Sequence, residues 1–152
     1  MVSTLDGKTA AFLGQYHAMR EVVRRIDADL QAYNVSLTQA DMLLALRRAE
    51  PVTIGHLANE VELASQSLTA AVDRLEANPY GSFVRRRRGN PDRRKVFVEL
   101  TEAGRALADR VAPALARAVK ERWIGIAAAW GMPGLENLTA ASGWGNTGLK
   151  GA

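Results

Sequence analysis

The sequence predicts a mainly α-helical chain carrying one small β-hairpin. Three observations carry that prediction. Apolar residues recur every three or four positions through residues 9–33 and again through 101–130, the period of amphipathic helices. Two shorter helical patterns joined by a tight turn lie between them, in residues 53–77. Then comes FVRRRRGNPDRRKVFVEL, residues 83–100, in which two β-prone runs flank Gly89, Asn90 and Pro91, the pattern of a hairpin with a tight tip.

Each element has its own signal. In the first helix Phe12, Tyr16, Met19, Val23, Ile26, Leu30 and Tyr33 form the apolar stripe, and Asn34 and Ser36 end it. Thr38 is the expected cap of a second helix, with Asp41 as its capping-box-like partner. That helix runs through Met42, Leu43, Leu44 and Leu46 to Glu50, where Pro51 stops it. Thr53 caps a third helix bearing Leu57, Ala58 and Val61. Glu62, Leu63 and Ala64 form a turn, and Ser65 is the expected cap of a fourth helix with Leu68, Val72 and Leu75 inward. Pro79 and Gly81 close it. After the hairpin arms Phe83–Arg87 and Lys95–Leu100, Thr101 caps a fifth helix with Leu107, Val111, Leu115, Val119 and Ile126 inward. Pro113 is expected to kink or interrupt that helix, because proline lacks the amide donor and clashes with the preceding turn. Residues 131–152 are glycine-rich and read as a short helical piece near Leu135–Ala141 followed by a flexible tail.

Composition narrows the function. The chain has 152 residues, 47% of them hydrophobic and 24% charged, which suits one globular domain with an appended element. It contains no cysteine, so disulfides, thiolate chemistry and cysteine-based redox or metal sensing are excluded. His17 and His56 fall on different helices and make a poor zinc pair. There is no glycine-rich phosphate loop, HExxH or Ser/His/Asp arrangement, and the chain reads as a non-enzyme with no cofactor and no metal. No apolar run is long enough to span a membrane and the N-terminus lacks a signal peptide's regions, so the expectation is a cytoplasmic protein.

The net charge is +4 and the pI about 9.8. Clustering matters more than that sum. Arg85, Arg86, Arg87, Arg88, Arg93, Arg94 and Lys95 share the hairpin with Asp92 as the one acid before Glu99. Like charges side by side and across strands repel, so a polyanion is the natural source of countercharge. Strand alternation lets about half of Arg85–Arg88 face such a partner, and the others can pair with Asp73, Glu76 or Glu99.

The fourth helix supplies a different chemistry. Ser65, Gln66, Ser67, Thr69 and Ala70 begin its outer face. Gln can bond adenine through two contacts, Ser and Thr bond base edges, and Ala or a Thr methyl meets a thymine methyl. Arg74, later in the same helix, is a candidate to reach the phosphate backbone. Taken singly, Ser or Thr at a helix start is equally a simple cap. The order helix, turn, helix, basic hairpin is the more specific signal, and it describes a winged helix-turn-helix.

Two segments then carry a resemblance. LTQADMLLALRRAEPVTIGHLANEVELASQSLTAAVDRLE (37–76) and VRRRRGNPDRRKVFVELTEAGRAL (84–107) resemble the MarR family of bacterial transcription regulators. The sharpest part is Asp92-Arg93-Arg94, a strand, and then Leu100-Thr101-Glu102-Ala103-Gly104. The resemblance implies that Arg94 enters a minor groove while Asp92 orders the wing. A narrow A·T-rich groove has the negative potential that such a role requires. It further implies a homodimer, a repressor of transcription acting on a pseudo-palindromic operator, and an inducer in the form of a small aromatic ligand. On that basis the candidate DNA-binding residues are Ser65, Gln66, Ser67, Thr69, Arg74, Arg86, Arg88, Asp92 and Arg94, with Tyr16, His17 and Arg20 as candidate ligand residues and Arg47 and Arg48 near them. One departure is the link Ala77–Phe83, which is longer than the family's and contains Pro79.

The implied architecture is a winged helix-turn-helix flanked by N- and C-terminal dimerisation helices. Residues 1–35 form the first dimerisation helix, 36–100 the DNA-binding lobe, 101–141 the C-terminal dimerisation helices and 142–152 the tail. Two other functions stay open on the residues alone. A winged helix also serves as a protein-interaction module, and a basic wing also serves a nonspecific nucleic-acid-binding protein. The polar, non-basic start of the fourth helix favours sequence reading, since a purely electrostatic binder gains from Lys and Arg there.

Overall fold

The computed structural model describes residues 5–130. The elements run α1 (Gly7–Leu30), a 3-10 turn (Gln31–Tyr33), α2 (Leu37–Ala49), β1 (Val52–Thr53), α3 (Ile54–Glu60), α4 (Ser65–Glu76), β2 (Val84–Arg88), β3 (Val96–Leu100) and α5 (Glu102–Trp130). The mainly helical fold with a small sheet is the one expected. The expected helical piece near 135–141 and the tail at 142–152 lie outside the described residues.

The described residues divide into two compact units, Arg25–Val119 and a terminal unit of residues 5–24 with 120–130. Helices α1 and α5 each contribute to both units. In the larger unit Ile26, Leu30, Met42, Leu46, Leu57, Leu75, Leu100 and Leu107 are buried and make the core. In the terminal unit the apolar stripe is uncovered. Phe12 is 66% exposed, Tyr16 50% and Ile124 84%, and Leu5 is also open.

Local chemistry explains the helix ends. Asp6 accepts hydrogen bonds from the Lys8 and Thr9 amides at 2.9 and 3.1 Å, so α1 begins before Thr9. Bonds from the Thr9 hydroxyl and amide hold the Asp6 carboxyl below its ordinary value. The cap of α2 is Ser36, not Thr38. Its hydroxyl accepts from the Gln39 amide at 3.2 Å, and Gln39 Oε1 accepts from the Ser36 amide at 2.9 Å. A glutamine reaches back as well as an acid, and that reciprocal pair displaces the Thr38–Asp41 alternative. Thr53 caps α3 as expected, accepting from the His56 amide at 3.2 Å. At α4 the cap position is Ala64, with no side-chain hydrogen bond, and Ser65 is the first helical residue. Thr101 takes the Gly104 amide at 3.0 Å and caps α5, which continues through Pro113 without interruption.

The sheet has three antiparallel strands in the order β1-β3-β2. Strand β1 has two residues, Val52 and Thr53, paired with Val98 and Phe97. No periodicity shows in two residues, which is why the hairpin alone was legible. Strand β2 pairs in register with β3, from Val84 opposite Leu100 to Arg88 opposite Val96. Between α3 and α4, Glu62 adopts a left-handed φ of 52°.

The root of the wing is tightly packed. The Phe83 amide donates to the Leu75 carbonyl at 2.9 Å, and the Phe83 carbonyl accepts from the Thr101 amide at 3.1 Å. A Cβ placed on Gly104 would lie 1.9 Å from that same carbonyl oxygen. From the end of α2, Glu50 accepts from the Leu100 amide at 2.5 Å and from Arg105 Nε at 2.7 Å.

Gly104→Ala therefore tests the wing's root. Alanine favours a helix by about 1 kcal/mol over glycine, but overpacking against backbone outweighs this, and a net loss of roughly 2 kcal/mol is expected. Thermal unfolding should show a lower Tm, and an unchanged or raised Tm would contradict the close approach at Phe83.

Candidate nucleic-acid interface

The outer face of α4 is open. Leu68, Ala71, Val72 and Leu75 are buried beneath it, while Ser65, Gln66, Ser67, Thr69, Ala70, Asp73 and Arg74 are exposed. Ser65, Gln66, Thr69, Ala70 and Asp73 line a shallow open depression of about 400 Å³. Thr69 donates its hydroxyl to the Ser65 carbonyl at 2.8 Å, so its one donor is engaged within the helix and its methyl is the group left to the surface. Ser65 is not engaged as a cap, and Gln66 has its amide group exposed.

The wing divides its arginines by strand parity. Arg85, opposite Glu99, donates from Nε to that carboxylate at 2.6 Å. Arg86 points the other way, to the strand face shared with buried Val84 and Val98, and this face meets α4. Its guanidinium is bonded to both Glu76 and Asp73, and its amide donates to Glu76 Oε1 at 3.3 Å. Burial weakens the charged form of Arg86. The hydrogen bond to Asp73 and the field of Glu76 outweigh that effect and hold the guanidinium above its ordinary value. Arg86 is thus not an open contact of the kind expected, because the alternation that singled it out also turns it onto two carboxylates.

Toward the tip the cations are open. Arg87, Arg88, Arg93, Arg94 and Lys95 are all exposed, and among the described residues none of them has an ion-pair partner. Arg74 is likewise exposed and unpaired. The tip is built by one main-chain bond and one from a main-chain amide to a carboxylate. The Gly89 amide donates to the Lys95 carbonyl at 2.8 Å, and Asp92 Oδ1 accepts from the Arg94 amide at 3.0 Å. A Cβ on Gly89 would lie 2.5 Å from the Asp92 carbonyl oxygen, so this tight return needs glycine. Asp92 acts on Arg94 through the backbone and leaves its guanidinium unengaged.

The candidate ligand residues fall in the terminal unit. The Tyr16 and His17 rings lie 5.8 Å apart, and the Arg20 guanidinium stands 5.7 Å from the Tyr16 ring centre. Arg47 and Arg48 are held in the larger unit by Asp109 and Glu60, each at 3.0 Å. Asp73, expected only as one of three possible partners for the wing arginines, also lies on the open α4 surface.

Residues 35–96, which span α2 to the start of β3, match the MarR family. Through this lobe the chain is similar to that family. The HTH-type transcriptional regulator SarZ of Staphylococcus aureus is 30% identical over 92 residues, 60% of each chain, so this chain spans about 60% of that relative's length. AbsC, a MarR family transcriptional regulator from Streptomyces coelicolor, shares the fold with a TM-score of 0.72 at 23% identity, covering 93% of this chain and 90% of AbsC. Reduced AbfR, solved bound to DNA, matches with a TM-score of 0.61 at 25% identity over 69% of this chain and 74% of its own. No helix among the described residues is long and apolar enough to cross a membrane.

Asp92→Ala tests how the wing tip is ordered. Amide hydrogen exchange at Arg94 and Lys95 should accelerate at least tenfold while the Tm stays within about 2 °C, since the contact is exposed and local. Unchanged exchange would mean that the tip is held by its glycine turn alone.

Proposed function

We propose that this chain is a sequence-specific, double-stranded DNA-binding transcription regulator that acts as a homodimer. The observation that carries this reading is the pairing of two surfaces in one lobe. A polar, non-basic helix face is suited to base edges, and beside it stands a wing whose tip holds five exposed basic side chains without protein partners. Gln66, Ser65, Ser67 and the Thr69 methyl are the base-facing groups, and Arg74, Arg88 and Arg94 are the groups for phosphate and minor groove. AbfR, which has this fold and was solved on DNA, supports that assignment.

Dimerisation is assigned to the terminal helices. Phe12, Tyr16, Val23 and Ile124 leave an apolar surface that is costly in water unless covered, and a second copy is the natural cover. Two-fold symmetry then sets two recognition helices in successive major grooves, roughly 10 bp apart, over a pseudo-palindromic operator. The regulator acts as a repressor where its operator overlaps the polymerase site, since bound protein then excludes polymerase. Tyr16, His17 and Arg20 combine aromatic faces with a cation, chemistry that suits a small aromatic acid as the releasing ligand.

Fluorescence anisotropy with DNA from upstream of the chain's own gene, against a scrambled duplex across a salt series, tests the reading. Preference for the upstream DNA that persists as salt rises is expected. Equal, salt-labile binding to both would replace it with a nonspecific nucleic-acid-binding protein. Arg94→Ala should weaken specific binding about tenfold or more, and Gln66→Ala should cost about 1–3 kcal/mol at a single base position.

A second test addresses assembly. Phe12→Glu should shift sedimentation toward the 16.5 kDa monomer and weaken operator binding in parallel, with the lobe still folded by circular dichroism. A dimer that survives this change and Ile124→Glu would place the interface elsewhere.

A further inference from the structure

The wing and α4 are two separate surfaces, and reading DNA with both requires a fixed angle between them. Their covalent connection is the link from Ala77 to Phe83. It is ordered within itself, with the Tyr80 amide on Asn78 Oδ1 at 2.9 Å and the Gly81 amide on the Asn78 carbonyl at 3.0 Å. Those bonds fold the link, and at its end the Phe83 amide on the Leu75 carbonyl pins the wing's root to α4 at one point, which leaves rotation about that point open. Among the described residues, every side-chain hydrogen bond between α4 and the two wing strands involves Arg86. Its two acceptors, Asp73 and Glu76, sit three residues apart and so stand on one face of the helix. A planar guanidinium can bond both carboxylates at once, and with the strand amide on Glu76 the contact resists rotation as well as separation.

Charge gives the same contact a second effect. Asp73 also lines the depression with Gln66 and Thr69, and its side chain is 60% exposed. An uncompensated carboxylate there would repel phosphate at the edge of the reading face. Arg86 supplies the compensation from behind, with only 26% of its own side chain exposed.

We propose that Arg86 is a positioning residue: it sets the wing's angle to α4 and neutralises Asp73 and Glu76 at the margin of the reading surface, without itself touching DNA. This rests on the DNA-reading function proposed above and assigns one of its cations a different task. It also distinguishes Arg86 from Arg88, two residues on along the same strand face and unpaired. Lysine cannot replace a positioning arginine here, because a single ammonium does not span two carboxylates in fixed geometry.

The test compares wild type with Arg86→Lys, Arg86→Gln and the pair Asp73→Asn with Glu76→Gln. Each is measured on its preferred duplex, selected from a random pool, and on a scrambled duplex across a salt series. Amide exchange is followed on the DNA-free protein. Arg86→Lys should lose at least tenfold in preferred-site affinity while scrambled-duplex affinity and the salt slope stay at wild-type values. In the Asp73→Asn, Glu76→Gln background the same change should add less than threefold, because the partners are already gone. Without DNA, exchange at the Arg86 amide and its strand neighbours should rise at least tenfold. A salt slope lowered by about one in Arg86→Gln, with Arg86→Lys binding as wild type, would overturn the proposal in favour of a direct phosphate contact. Unchanged exchange in Arg86→Lys would show that no brace exists. A wild-type protein that selects no sequence would overturn the regulator reading, and the exchange data would still decide the brace.

Discussion

The placement of the whole interface depends on one close approach, the Phe83 carbonyl against Cα of Gly104. No side chain fits there, since even a methyl carbon would lie 1.9 Å from the oxygen. The same peptide groups are bonded on both sides, the Phe83 amide to the last turn of α4 and the carbonyl to the first residue before α5. Glu50 brings the end of α2 to the same point through Leu100 and Arg105. Three helices and the wing are therefore referenced to a single junction, and the orientation of the exposed α4 face follows from it. Buried Leu75, Phe83, Val84 and Leu100 shield the main-chain bonds of Phe83 on the core side.

The hairpin shows how charge in a sequence becomes charge on a surface. Read as a string, Arg85–Arg88 is four cations in succession. Folded, the strand sends two of them to carboxylates, Arg85 across the sheet to Glu99 and Arg86 onto α4. The open charge is concentrated toward the turn, from Arg87 through Lys95. A field gathered at a narrow projecting tip is directional in a way that the same charge spread along a ribbon is not.

Much of this was legible beforehand, for identifiable reasons. Long stripes such as Phe12 to Leu30 and strong stops such as Pro51 and Pro79 carry their own physics, and Thr53 and Thr101 cap the helices expected of them. Choices between neighbouring residues were less legible. Ser36 and Thr38 are both good caps, and only the reach of Gln39 back to the Ser36 amide decides between them. Ser65 looks like a cap by composition, yet the chain enters α4 one residue earlier at Ala64. Strand β1 is too short to have a period. At the site, parity foretold that the arginines would divide but not which side the helix would occupy. That depends on the three-dimensional junction at Phe83, which no local pattern encodes.

The turn between α3 and α4 shows where this architecture has kept room to change. Glu62 holds a left-handed φ of 52° although it carries a full side chain, a conformation that costs about 1 kcal/mol or more relative to glycine. The residue is exposed, and its strain is offset by the cooperative packing of the helices on either side. The turn is therefore a reserve for evolution. A single change to glycine there relieves the strain without touching the core or the reading face, and the margin so released would let a relative of this chain tolerate a destabilising substitution elsewhere, including one on α4 that alters which bases it meets.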